Sequence, residues 1–378
     1  NSSEVYDLYA SGNTQGVFQL SAGQGIRDFF SRLKPKTIKE IGTGLALYRP
    51  GPMDYITTWA SGKKHSSLEE FLLRRDKRSK VENIHPIIDP ILESTYGLLI
   101  FQEQIISIAK VIGYSAAESD KFREGVGKKD KAKVDSLKPI FIEKATEKLG
   151  NLNIALSLWN TIVTYARYGF NVPHAIAYAI LSYYTAYFKK FYPTEFYCAS
   201  IDIESKDSRD NMIRLISDAK TYSPEIKILP PSLTLSSEES TVEKKNIRLG
   251  FNILKGVGET GTKFLQLENN QRVFSSYSDF INRIDFRKIN GSVLEKILLT
   301  GMGENLFKDE EEKRIAITSI PYLKNYFEFK DKMGSSNLDY FSTFNDMINT
   351  KIAFYSGRKS TEFNLKQLEK WKEIQSLV

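Results

Sequence analysis

At 378 residues the chain is long enough for two or three domains of about 150 residues each, which excludes a peptide-sized module. Hydrophobic residues make up 41% and charged residues 26%, with no run of about 18 apolar residues and no signal peptide, so a folded chain with no membrane partner is expected. The 53 Lys and Arg exceed the 46 Asp and Glu to give a formal charge of +7 and a pI near 9.0, which suits a phosphate-bearing partner without requiring one.

The chain starts at Asn1 rather than Met, which suggests a piece of a longer or processed polypeptide. Residues 1–62 hold short apolar runs broken by glycine and proline, such as Gly16-Val17-Phe18-Gln19-Leu20 and Tyr48-Arg49-Pro50-Gly51-Pro52, and predict short elements joined by turns. Basic residues cluster from Lys63 to Lys80 and again from Lys121 to Lys133. From residue 68 to 200 the pattern changes to helical periodicity, with Leu98, Phe101, Ile105, Ile108 and Ile112 at three- and four-residue steps.

Pro173 to Phe191 is the clearest helix, with Pro173 in the first turn and an end before Pro193. Ala177, Leu181, Tyr184 and Phe188 fall on one face, and Ile176, Ile180, Tyr183 and Tyr187 on another, which predicts a helix buried nearly all round. Cys198 lies in an apolar run, where a small buried residue is the expected role. It is the only cysteine, so no intrachain disulfide can form and a cytoplasmic setting is expected. With three histidines, no zinc-ligand spacing exists. Between Tyr222 and Glu243 prolines and serines mark a boundary, followed by a strand-like run from Ile247 to Leu254 and then amphipathic helices to about Leu299. The tail from Phe307 is polar with helical stretches.

Four segments carry chemistry, each with a local alternative. Gln102-Glu103-Gln104, closing the run from Thr95, reads first as a polar cluster that caps or packs locally. Arg123 to Lys129 sets two glycines among three cations, as fits either a phosphate-holding loop or an exposed basic turn. Tyr168-Gly169-Phe170-Asn171 leads to His174 at a helix start, where free backbone donors favour an anion and where a histidine also simply packs. Leu254-Lys255-Gly256-Val257-Gly258 has the form of a helix-hairpin-helix turn or of an ordinary one.

Taken in order, these segments resemble the fingers motifs of bacterial-type C-family DNA polymerases, the family of the DNA polymerase III alpha subunit. The resemblance runs from Gly16-Val17-Phe18-Gln19-Leu20 through Tyr192-Pro193-Thr194-Glu195-Phe196 to Val293-Leu294-Glu295-Lys296, about residues 15 to 300. It implies a mainly α chain: a palm–fingers junction over 1–62, a helical fingers domain over 63–225, a small α(+β) helix-hairpin-helix domain over 226–305, and a helical extension over 306–378.

It also implies binding of an incoming dNTP and a DNA primer-template. Arg123, Lys128, Lys129, His174 and, near the palm junction, Arg49 would contact the triphosphate. Tyr168, Gly169 and Asn171 would shape that pocket, and Lys255, Gly256 and Gly258 would hold duplex backbone. The catalytic aspartates and their two Mg2+ ions would belong to a palm-bearing segment or subunit outside this chain, with a sliding clamp as a further partner; no metal ligand or catalytic residue is expected here. Asp202 and Glu204, in a loop-like polar stretch, offer no substitute.

Three departures bear on this. Glu124 stands where the family has a second Arg, Val172-Pro173 replaces a Lys-containing pair, and Gly301-Met302-Gly303-Glu304 replaces Gly-Ala-Phe-Asp. They suggest a divergent copy, such as a phage carries, and keep a second reading open: a noncatalytic DNA-binding or accessory protein derived from polymerase fingers. The tail matches no known segment, and Asn337-Leu338-Asp339-Tyr340-Phe341 is a poor echo of a clamp-binding peptide.

Overall fold

In the computed structural model, residues 2–54, 56–59, 62–128, 131–166, 168–254, 256–334 and 339–377 are described. The glycine- and proline-broken start of the chain is largely helical, with helices Ser3–Ser11, Gln24–Leu33 and Ile38–Leu47 and the short Pro50–Asp54. Punctuation sets the ends rather than preventing the helices: Gly12 adopts a left-handed φ of 75° after the first, and the Thr37 hydroxyl accepts from Glu40 N to start the third. Chain contacts divide the molecule into two compact units, Asn1–Tyr192 and Pro193–Val378. As expected the fold is mainly α, and among the described residues no helix is long and apolar enough to cross a membrane.

In the first unit an antiparallel ribbon, Ile56–Thr58 with Lys64–Ser66, precedes the Ser67–Arg75 helix. Beyond it, helices Gln102–Val111, Ala116–Val126, Lys131–Leu149 and Leu152–Ala166 enclose a core of Ile105, Ile108, Phe122, Phe141, Trp159 and Ile162. The predicted apolar row is buried throughout, but Leu98 and Phe101 precede the helix, which starts at Gln102.

The Val172–Phe191 helix begins and ends where Pro173 and Pro193 require, with Asn171 as its cap. Its burial differs from expectation. Ala175, Ala179, Tyr183 and Ala186 are buried, while Leu181, Tyr184 and Phe188 are 49%, 57% and 52% exposed. The helix packs through its small residues: a Cβ on Gly42 of the Ile38–Leu47 helix would lie 3.1 Å from the Ala175 carbonyl oxygen. Such close approach selects one seam, and the large side chains of the other face point away from it. Lys189, completely buried, donates from Nζ to Gln15 O at 2.8 Å and so ties the 14–20 turns to this helix.

The second unit opens with the paired helices Pro193–Asp207 and Arg209–Tyr222. Cys198 is buried there as expected, and burial pushes its thiol up to about 11. Asp202 lies in a helix, not a loop, and its carboxylate accepts from Ser240 N at 2.6 Å and Ser240 Oγ at 2.5 Å, a bond that docks the following loop. A three-stranded sheet places Asn246–Arg248 between Ile228–Leu229, parallel, and Thr241–Glu243, antiparallel. The predicted strand from Ile247 shortens to those three residues. Gly250 presses so closely on Glu238–Ser240 that a Cβ would lie 2.4 Å from the Glu239 carbonyl carbon, and the chain turns into the 3-10 helix Phe251–Ile253.

Helices Gly258–Gln271, Tyr277–Arg283 and Gly291–Leu299 share one core with Glu310–Ser319, Leu323–Met333, Tyr340–Ser356 and Glu362–Leu377. Leu265, Phe280, Leu294, Tyr326, Phe344 and Trp371 meet there. Tyr340, from the segment that faintly echoes a clamp-binding peptide, is completely buried and donates its hydroxyl to Ser319 Oγ. Asn337 and Leu338 lie outside the described residues.

Candidate functional site

A parallel bridge between Phe101 and Phe170 joins two segments distant in sequence. Gln102 N donates to Phe170 O at 2.9 Å, and Phe170 N to Ile100 O at 3.0 Å. The three polar residues that follow Phe101 hold backbone, as the local-packing alternative anticipates. Gln104 Oε1 accepts from Ile100 N and Phe101 N at 2.8 and 2.9 Å. The Glu103 carboxylate accepts from Val172 N at 3.0 and 3.1 Å and from Asn171 Nδ2 at 3.1 Å. Gln102 donates from Nε2 to Gly169 O at 3.0 Å and accepts at Oε1 from Arg123 Nη1 at 3.4 Å.

This bridge gathers Arg49, Arg123, Tyr168, Gly169, Asn171 and His174. Glycines permit it: a Cβ on Gly51 would lie 2.1 Å from Tyr168 Cδ1, and one on Gly169 would lie 3.1 Å from Gln102 Cγ. Tyr168 remains 43% exposed, and His174 is exposed. The imidazole of His174 lies 5.3 Å from the Phe170 ring and 4.1 Å from Tyr178, which in turn lies 5.3 Å from Phe18.

The helix start is less open to an anion than its sequence suggests. Val172 N is taken by Glu103, Pro173 has no N–H, and His174 N donates to Asn171 Oδ1 at 3.0 Å. A carboxylate therefore already occupies the positive end of the helix dipole. Side chains, not helix amides, are left to receive a further anion.

The cations differ in their neutralisation. Arg123 pairs with Asp120 at 3.2 Å, and Lys128 pairs with Glu124 at 2.7 Å, a contact that lowers the Glu124 pKa and raises that of Lys128. Arg49 has no carboxylate partner among the described residues. Its Nη2 donates to Tyr168 O at 2.6 Å, its guanidinium lies 4.2 Å over the Phe170 ring, and its buried Nε has no hydrogen-bond partner. Burial lowers its pKa. An arginine held by one carbonyl and a ring face is an uncompensated positive charge. Lys129 lies outside the described residues.

In the second unit Gly256 and Gly258 take φ of 96° and 67°, values that favour glycine, on either side of buried Val257. A Cβ on Gly256 would lie 2.6 Å from Lys296 Nζ, so an ammonium lies directly over the hairpin. Lys255 lies outside the described residues. The motifs that contain Lys296 and Gln102 carry no local signal of a role for either residue. Only the three-dimensional neighbours distinguish these residues. Among the described residues no three or more His, Cys, Asp and Glu are grouped as a metal site would require.

Residues 1–149 match the bacterial DNA polymerase III alpha subunit finger domain, and residues 225–313 match the helix-hairpin-helix motif. DNA polymerase III subunit alpha of Aquifex aeolicus is 34% identical over 312 residues, 82% of this chain and 26% of that protein. The Deinococcus radiodurans subunit is 35% identical over 300 residues, 79% of this chain and 22% of that protein. A match to the Chlamydia muridarum subunit, 31% identical, spans 92% of this chain and 27% of that protein, and so reaches into the tail that sequence reasoning left unmatched. The chain spans about a quarter of the length of the curated relatives it matches. It belongs to the family of bacterial DNA polymerase III alpha subunits, of which it carries the finger and helix-hairpin-helix region.

Proposed function

We propose that this chain grips the incoming dNTP and the primer-template of a DNA-directed DNA polymerase that acts in replication. The observation that carries this reading is the uncompensated guanidinium of Arg49 on the same 168–170 loop to which Gln102 ties Arg123. Two guanidinium groups, one without a counterion, suit a polyanionic triphosphate better than any neutral ligand. In this reading Arg49 and Arg123 take phosphate oxygens and His174, Lys128 and Lys129 add charge. Tyr168, Gly169 and Asn171 shape the pocket. Lys255, Gly256 and Gly258, with Lys296, hold duplex backbone without reading sequence.

Two Mg2+ ions would sit on palm carboxylates outside this chain; no grouping among the described residues fits that task. The pair Glu124–Lys128 favours a second reading, a noncatalytic DNA-binding or accessory subunit, because it neutralises a cation that a triphosphate would need. Primer extension separates the two. The chain alone should show none, and addition of the palm-bearing part of the polymerase should produce template-directed synthesis. Duplex binding without synthesis in the second case would overturn the first reading in favour of the other.

A further inference from the structure

We propose that Gln102 is a positioning residue that sets the Arg123 guanidinium at a fixed place relative to the loop that holds Arg49, so that triphosphate affinity depends on a side chain that touches no phosphate. The inference rests on the triphosphate reading of this site. Two consecutive carbonyl groups do the measuring. Tyr168 O accepts directly from Arg49, and Gly169 O accepts from Gln102 Nε2, whose own Oε1 accepts from Arg123. Because the two ends of a carboxamide have opposite character, the Gly169 carbonyl dictates which end faces Arg123. A flipped amide would set oxygen against oxygen and N–H against guanidinium.

The other partner of Arg123, Asp120, lies on the same Ala116–Val126 helix and moves with it, so it cannot fix Arg123 relative to the 168–171 loop. Gln102 can, since its backbone N–H is also bonded to that loop at Phe170 O. Gly169 leaves the room required, because a Cβ there would press on Gln102 Cγ.

The test uses inorganic tripolyphosphate and the whole 378-residue chain, with affinity measured by calorimetry for wild type, Gln102→Met, Arg123→Ala and the double variant. Gln102→Met should weaken binding about tenfold, as loss of a hydrogen bond to a charged group does. The double variant should bind no more weakly than Arg123→Ala alone, because Gln102 acts through Arg123. Duplex affinity should not change, and the unfolding midpoint should fall by no more than about 4 °C, as the lost bond to Gly169 O requires. Additive losses in the double variant, or a larger fall in the Gln102→Met midpoint, would overturn the positioning role.

Gln102→Glu supplies a second arm: its carboxylate would neutralise Arg123 and repel the Gly169 carbonyl, so it should bind at least as weakly as the Met variant. Wild-type affinity in the Glu variant would also overturn the role. If wild type does not bind tripolyphosphate, or Arg123→Ala does not weaken it, the triphosphate reading itself fails, and this inference with it. Binding lost in Arg123→Ala but kept in Gln102→Met defeats the inference alone.

Discussion

Arg49 and Lys128 show how neutralisation, rather than the presence of a basic side chain, decides what a cation can do. Arg49 has given up part of its hydration to a ring face and a carbonyl, with no carboxylate in return. Arg49→Ala should therefore weaken tripolyphosphate binding by about ten- to a hundredfold, more than Lys128→Ala does, in the same calorimetric titration. Arg49→Lys should recover little, because an ammonium cannot stack on Phe170 and reach the Tyr168 carbonyl together. Glu124→Gln frees Lys128 and should tighten binding a few-fold with a steeper dependence on salt; unchanged affinity would place Lys128 outside the site. Glu124 was legible as a departure from the family pattern. That it also consumes a neighbouring cation depends on a rotamer that the sequence does not specify.

At the scale of elements, the Ser67–Arg75 helix is anchored by a buried pair. Arg74 Nε lies 2.6 Å from Glu70 Oε1, both side chains almost fully buried, with His65 Nε2 2.6 Å from Glu70 Oε2. Burial alone would raise the Glu70 pKa, but hydrogen bonds from Arg74, His65 and Ser79 outweigh it and hold the carboxyl below its ordinary 4.5. Glu70→Ala should cost about 3 kcal/mol in urea unfolding, because it leaves the buried Arg74 charge with only the longer 3.4 Å pair to Glu82. A carboxyl lowered on folding adds stability above its unfolded pKa and loses it as pH falls through the folded value. Wild type should therefore lose stability below pH 4.5, and Glu70→Gln should lack that part of the loss.

The Val172–Phe191 helix shows the limits of periodicity at this scale. Pro173 and Pro193 made its ends legible, since the constraints a proline imposes act within a residue or two, whereas the Asn171 cap emerged only in the structure. Which apolar face is buried depends on Gly42 from another helix, and no local rule contains that partner.

For the molecule as a whole, binding of duplex DNA should weaken steeply between about 50 and 200 mM salt as phosphate contacts release counterions. Lys296→Ala should lower the slope of that dependence by about one charge without changing sequence preference. A slope unaffected by Lys296→Ala would separate the ammonium over Gly256 from the DNA contact. By itself, the sequence determined the helical class, the ends of the Val172–Phe191 helix, the buried cysteine and the family, since these rest on local stereochemistry and on motifs read in order. The tertiary structure alone decided that Arg49 is held by the Tyr168 carbonyl and the Phe170 ring, which polar residues hold the loop at Gly169, and that helices beyond Glu310 share a core with the hairpin region. Those outcomes depend on residues far apart in the chain, and only packing brings them within bonding distance.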